Sequence, residues 1–159
     1  MLIERRAVTG LRLFLVVMFG VLVVLQVMSL PGQFRYMAEE HPQHADLRWP
    51  LTAATVFLVG CVQVVIVAIW KLLTRVEHDR IFSQESMTWV DVIVWAITAA
   101  WTVLVGIDVL VAFHADDPGG PIVLFLLTVG VTVTGLLMVV MRALLRQATA
   151  LRTDLEAVI

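Results

Sequence analysis

The chain is short of charge: 15% of its 159 residues are Asp, Glu, Lys or Arg, where soluble domains carry about 25%. It has one cysteine, Cys61, set inside an apolar run, so no internal disulfide forms and no redox compartment can be read from it. A thiol-oxidising membrane enzyme would need a cysteine pair. The histidines, His41, His44, His78 and His114, all fall in connections, which leaves no pair on facing apolar runs to ligate a membrane haem. P-loop, nucleophile-elbow and metalloprotease-helix motifs are all missing. These gaps lead us to expect neither an enzyme nor a cofactor. The prolines are likewise absent from the apolar runs: Pro31, Pro42, Pro50, Pro118 and Pro121 fall in two connections, where the backbone can leave helical geometry in water.

What the chain does have is hydrophobic length. Apolar residues make up 60% of it, and they gather in runs at 11–30, 51–70, 90–113 and 122–141, each near the ~20 residues that cross a hydrocarbon core of about 30 Å. The expected fold is all-α, an integral membrane bundle of four helices forming a single domain over residues 1–159. Arg5 and Arg6 precede the first run as they would in a signal peptide. That run is long for a signal core and ends Val27-Met28-Ser29-Leu30-Pro31 without a small-x-small site, so we read it as a first membrane helix.

Basic residues set the expected orientation, because short loops rich in Lys and Arg stay cytoplasmic. Arg5, Arg6 and Arg12 flank the first run, Lys71, Arg75 and Arg80 follow the second, and Arg142, Arg146 and Arg152 follow the fourth. The remaining connections hold only Arg35 and Arg48. Both termini are therefore expected in the cytoplasm, in a multi-pass protein of the cell inner membrane. Trp49, Trp70 and Trp89 stand at run ends, where aromatic belts form.

The cytoplasmic side holds more pattern than loops require. Lys71 to Glu77 continues the second run without a breaker, predicting a helix that projects about two turns beyond the membrane. A restart follows: Ser83 suits an N-cap, Glu85 puts negative charge in the first turn, and Phe82 can staple onto Met87. After the fourth run, residues 142–158 lack Gly and Pro, predicting that the last helix extends unbroken into the cytoplasm. Leu144, Ala148, Leu151, Leu155 and Val158 recur there at heptad spacing, forming an interaction seam. Two heptads are too few to dimerise alone. The seam could also pack on Leu72, Leu73 and Val76 of the same molecule, or lie along the headgroups.

Several stretches carry a family resemblance: Ala38-Glu39-Glu40 and Leu47-Arg48-Trp49-Pro50, Cys61-Val62-Gln63-Val64-Val65, Arg80-Ile81-Phe82-Ser83 with Trp89-Val90-Asp91-Val92-Ile93, and Leu144-Leu145-Arg146-Gln147-Ala148-Thr149-Ala150-Leu151-Arg152 with Asp154-Leu155-Glu156. Over nearly its whole length the chain resembles a bacterial, largely actinobacterial, branch of the DUF2975 family, a domain of unknown function. The resemblance implies a four-helix inner-membrane protein and supplies no activity or catalytic residue. It also implies a regulatory pairing, since relatives are often encoded beside a small helix-turn-helix DNA-binding protein.

The membrane runs contain one polar layer. Asp108 lies in the third run, about 7 to 8 Å inside its outer end at the ~1.5 Å helical rise. An acid in that position is a functional candidate by default. Gln26, Thr55 and Thr128 sit at similar depth in the other runs. The layer could bind a proton or cation, or Asp108 could bond to Gln26 or Thr128, or pair with Arg48, and hold the bundle in register. Asp91 starts the third run within expected reach of Arg75 or Arg80. The outside connections carry another candidate constellation, Glu39, Glu40, His41, His44 and Asp46 in the first with His114, Asp116 and Asp117 in the third. His41 and His44 are weak metal candidates, because Pro42 between them disfavours a regular helix. Thr128, Thr132 and Gly135 form a smooth stripe on the fourth run, expected to pack internally.

The expected role is a non-enzymatic regulatory or scaffold protein. Embedded in the lipid bilayer, it would show its cytoplasmic seam to a regulatory protein, with a helix-turn-helix transcription factor as the candidate the resemblance suggests. The alternative is a small ion or solute transporter using Asp108. Homo-oligomerisation is compatible with either, and nothing in the sequence points to direct nucleic-acid contact.

Overall fold

A computed structural model describes residues 2–29, 32, 36, 39, 48–77, 84–114 and 118–158. Helix α1 spans Leu2–Val24 and continues as a wide π-helical turn over Leu25–Ser29. Helix α2 spans Arg48–Glu77, α3 Gln84–His114 and α4 Gly119–Val158. The fold is all-α. The four helices hold stretches long and apolar enough to cross a membrane, at Arg6–Met28, Trp49–Val76, Glu85–His114 and Gly119–Val158.

Helices α2, α3 and α4 each contain their expected apolar run and overrun it at both ends, because helix-forming residues continue past the run on the C-terminal side of α2 and α4 and the N-terminal side of α3. α1 begins at Leu2, before the first run, and carries Arg5, Arg6 and Arg12 on its own backbone. α2 reaches Glu77 through Lys71-Leu72-Leu73-Thr74-Arg75-Val76, as predicted. α3 begins at Gln84, one residue after the expected N-cap; Ser83 and Phe82 lie outside the described residues. α4 is one helix of 40 residues, about 60 Å long at the ~1.5 Å rise.

Two prolines expected in connections are in fact helical. Pro50 and Pro121 are the third residues of α2 and α4, within the first turn, where a backbone N–H has no intrahelical partner to lose. The first turn of α4 is closed by Ile122 N–H donating to the Pro118 carbonyl at 3.2 Å.

The chain divides into two compact units, Met1–Ile66 and Val67–Ile159, with the boundary inside α2. In the first, Leu15 and Ile66 are buried, and the Gln26 amide, in the π-helical turn, donates to the Val56 carbonyl of α2 at 3.0 Å. In the second, α3 and α4 form an antiparallel hairpin. Its register is fixed by four contacts stepping away from the turn: Thr128 on Asp108, Thr132 on Trp101, Gly135 on Ile97 and Arg142 on Asp91.

Large apolar side chains point outward. Trp95 is 74% exposed, and Phe14, Leu126 and Leu137 are exposed as well, whereas Thr128 is buried to 8%. A soluble protein inverts that order. In a bilayer the apolar side chains meet lipid, and the few polar ones are held between helices.

Candidate functional site

Threonines in the hairpin are satisfied locally first. The hydroxyls of Thr98, Thr102, Thr132 and Thr134 donate to the carbonyls four residues back, at 2.8 to 2.9 Å. A donor committed in this way leaves the oxygen free to accept across the interface. Thr132 does so, accepting from Trp101 Nε1 at 2.8 Å. Thr128 instead splits its donor between Leu124 O at 3.1 Å and Asp108 Oδ2 at 2.5 Å.

Each residue of the expected polar layer has a hydrogen bond within its own unit. Asp108 and Thr128 bond to each other in the second unit. Gln26 bonds to the Val56 backbone in the first, and Thr55, one residue away, turns its hydroxyl to Leu51 O at 2.8 Å on its own helix. Of the partners expected for Asp108, Thr128 is the one found. Two polar groups escaped the sequence reading. Trp101 was hidden among apolar neighbours, although it and Thr132 are equally far from the α3–α4 turn. Gln63, a lone amide inside an apolar run, has a buried Nε2 with no hydrogen-bond partner among the described residues.

The expected pairing of Asp91 with Arg75 or Arg80 is corrected. Arg142 Nε lies 2.5 Å from Asp91 Oδ1, and Arg75 Nη1 lies 2.5 Å from Glu85 Oε2. The hairpin explains this: residues equidistant from its turn face each other, so the acid that opens the third run meets the arginine that closes the fourth. Arg75, at the end of α2, meets instead the acid in the first turn of α3, where the helix dipole favours negative charge. Arg80 lies outside the described residues.

Beside Asp91 and Arg142 lies a groove of about 570 Å³ lined by Met87, Thr88, Asp91, Arg146, Thr149 and Asp154 among others. A smaller, apolar hollow of about 250 Å³ lies between Ile97 and Trp101 on one side and Val131 and Gly135 on the other. Neither reaches Asp108.

On α4 the residues turned toward α3 are Leu124, Thr128, Val131, Gly135, Met138, Arg142, Leu145 and Thr149. Their alternating steps of three and four are a heptad stripe. It takes in Thr128 and Gly135, with Thr132 beside it, as the sequence stripe predicted. At the water end it includes polar residues, Arg142 and Thr149, with Leu145 between them. The expected interaction seam is a different face, one residue round the helix, or about 100°. Leu144, Leu151, Leu155 and Val158 are exposed, the last three to 65%, 66% and 86%, and Ala148 is half-buried. The seam is thus not packed away on Leu72, Leu73 and Val76.

Among the described residues no group of three His, Cys, Asp or Glu side chains could hold a metal. The metal candidates His41 and His44, with Asp46, Asp116 and Asp117, lie outside the described residues.

A family model described as "Protein of unknown function (DUF2975)" matches residues 32–159. No curated protein and no solved structure matches the chain.

Proposed function

We propose, on the premise that the chain belongs to the DUF2975 family, that it is a non-enzymatic membrane protein of regulatory or scaffold type whose last helix offers a docking seam to a protein partner on the cytoplasmic side. The observation that carries this reading is the exposure of Leu151, Leu155 and Val158 on a helix that continues without a break from its membrane span. The stripe facing α3 takes in Arg142 and Thr149 beyond the apolar span, while the neighbouring stripe stays apolar for two further heptads. Apolar side chains kept in water at helical spacing mark an interaction surface. Because α4 is one unbroken helix, its tail points away from the headgroups rather than along them. The membrane we assign is the bacterial inner membrane, with both termini cytoplasmic, on the distribution of Arg and Lys. The resemblance to proteins encoded beside a helix-turn-helix regulator supports a transcription factor as partner.

The test is Leu151→Asp with Leu155→Asp in the full-length protein, purified from its native membrane. The double variant should insert normally and lose a protein that the wild type retains. Retention of every companion protein would remove the reading.

A second reading, a small ion or solute transporter, is favoured by one observation: Asp108 lies within a membrane-length stretch with Thr128 as a hydrogen-bond partner. It predicts that Asp108→Asn preserves folding and abolishes a proton or cation flux in proteoliposomes.

A further inference from the structure

The seam does not begin where the membrane ends. Followed back along α4 at the same alternating steps, Leu144 leads to Met141, Leu137, Thr134, Gly130, Leu127 and Val123, every one exposed. The repeat passes from the lipid-facing half of the helix to the water-facing half without a skipped residue, so a 40-residue helix carries it for about five heptads of seven. Gly130 and Thr134, one turn apart, form the small-residue step that lets membrane helices approach closely. Among the described residues nothing lies within 4 Å of the place a Cβ would take at Gly130, whereas at Gly135, on the α3-facing stripe, one would meet Ile97 at 3.1 Å.

A soluble protein could cover Leu144 to Val158 and would stop at the headgroups. Lipid could cover Val123 to Met141 and would stop there too. An occupant that follows one repeat through both zones is a helix that itself runs from the bilayer into the water. We infer that it is the α4 of a second copy, so that two chains pair in parallel from the bilayer into the water. This rests on reading the seam as a docking surface and names its occupant.

The chemistry of the pair is self-consistent. Copies inserted alike are parallel by necessity, and a heptad seam is complementary to itself in that orientation. Beside the seam, Gln147 of one helix would face Arg152 of the other, a hydrogen-bonding pair with no like-charge clash. The α3-facing stripe lies about 100° away, so pairing leaves Asp108–Thr128 and Asp91–Arg142 in place. Two aqueous heptads fall short of the three to four, roughly, that sustain a coiled coil, and the membrane half supplies the remainder.

The experiment is oxidative cross-linking of full-length protein in native membranes, in a Cys61→Ser background, with single cysteines on and off the seam. Leu137→Cys and Leu151→Cys should give a disulfide-linked product of twice the chain mass. Phe125→Cys and Thr153→Cys, on the far side of the repeat, should not. Adding Leu155→Asp to Leu137→Cys should reduce the membrane cross-link several-fold, because one continuous interface joins the two zones. Cross-linking at neither seam position, or equally at all four, overturns the proposal. If Leu151→Cys is captured by a different protein while Leu137→Cys remains monomeric, the second copy is the wrong occupant and the seam is still a docking surface. If the Leu151→Asp and Leu155→Asp variant also keeps every companion protein, both readings fall.

Discussion

Thr128 Oγ1 donates to the carboxylate of Asp108, tying an acid within one membrane-length helix to a buried hydroxyl on the next. The same hydroxyl also reaches Leu124 O, so the acceptor on α3 competes with a backbone carbonyl for one proton. A carboxylate there adds a second acceptor to the donor and binds the hairpin near its turn.

Asp108→Asn should therefore cost little, because an amide oxygen still accepts from Thr128. Asp108→Leu should destabilise the hairpin by about 0.6 kcal/mol and at most roughly 1.7 kcal/mol, the range of interhelical polar contacts in membranes. Unfolding of the purified protein in detergent by a graded denaturant reads the difference. A loss for Asn as large as that for Leu would mean that the charge, rather than the hydrogen bond, holds α3 to α4.

Gly135 leaves room for a side chain of α3, with Ile97 Cγ2 at 3.1 Å from the position of an added Cβ. Gly135→Leu should cost about 1 to 3 kcal/mol, as overpacking does. Ile97→Ala introduced with it should recover part of the loss, since the space given up by one side chain is what the other needs. Equal stability of Gly135→Leu and wild type in the same unfolding assay would show that the helices can separate freely at this level.

Asp91 and Arg142 sit where the hairpin leaves the apolar zone, with side chains 36% and 34% exposed. Solvent screens such a pair, so Arg142→Ala should cost no more than about 1 kcal/mol. The exchange of Asp91→Arg with Arg142→Asp should restore more than half of what either reversal alone loses. A double-mutant cycle in detergent measures the coupling, and zero coupling would reduce the pair to a coincidence of position.

Topology can be read with an impermeant thiol reagent in a Cys61→Ser background. Gln43→Cys and Gly119→Cys should label from outside intact cells, and Glu77→Cys only after the membrane is opened. Labelling of Glu77→Cys alone would place both termini on the outer side.

The membrane helices were legible because about twenty apolar residues in a row have few other solutions. Their ends were less so. Hydropathy marks where lipid stops, while a helix can run on through polar residues, which is why α1 starts at Leu2 and α2 persists to Glu77. Spacing identified Thr128, Thr132 and Gly135 as a packing stripe, and shared depth offered Thr128 as a partner for Asp108. Depth alone could not choose among the partners it offered Asp108, and the hydrogen bond to Thr128 is the one the hairpin supplies. Asp91 was misassigned for a similar reason. Proximity was judged along the connection, whereas partners in an antiparallel hairpin are set by equal distance from its turn, which also explains Trp101 with Thr132. The π-helical turn at Leu25–Ser29 left no signature in the residues.

A rod without a joint cannot absorb a movement made at its middle. α4 has neither glycine nor proline after Gly135, so nothing between the bilayer and Val158 acts as a hinge. Span tilt responds to hydrocarbon thickness. With the last turn about 40 Å from the middle of the span at the ~1.5 Å rise, a change of about 10° in tilt would carry Leu155 and Val158 sideways by about 7 Å. Thinning or thickening of the bilayer would thus arrive at the far tip of α4 as a lateral displacement larger than one turn of helix.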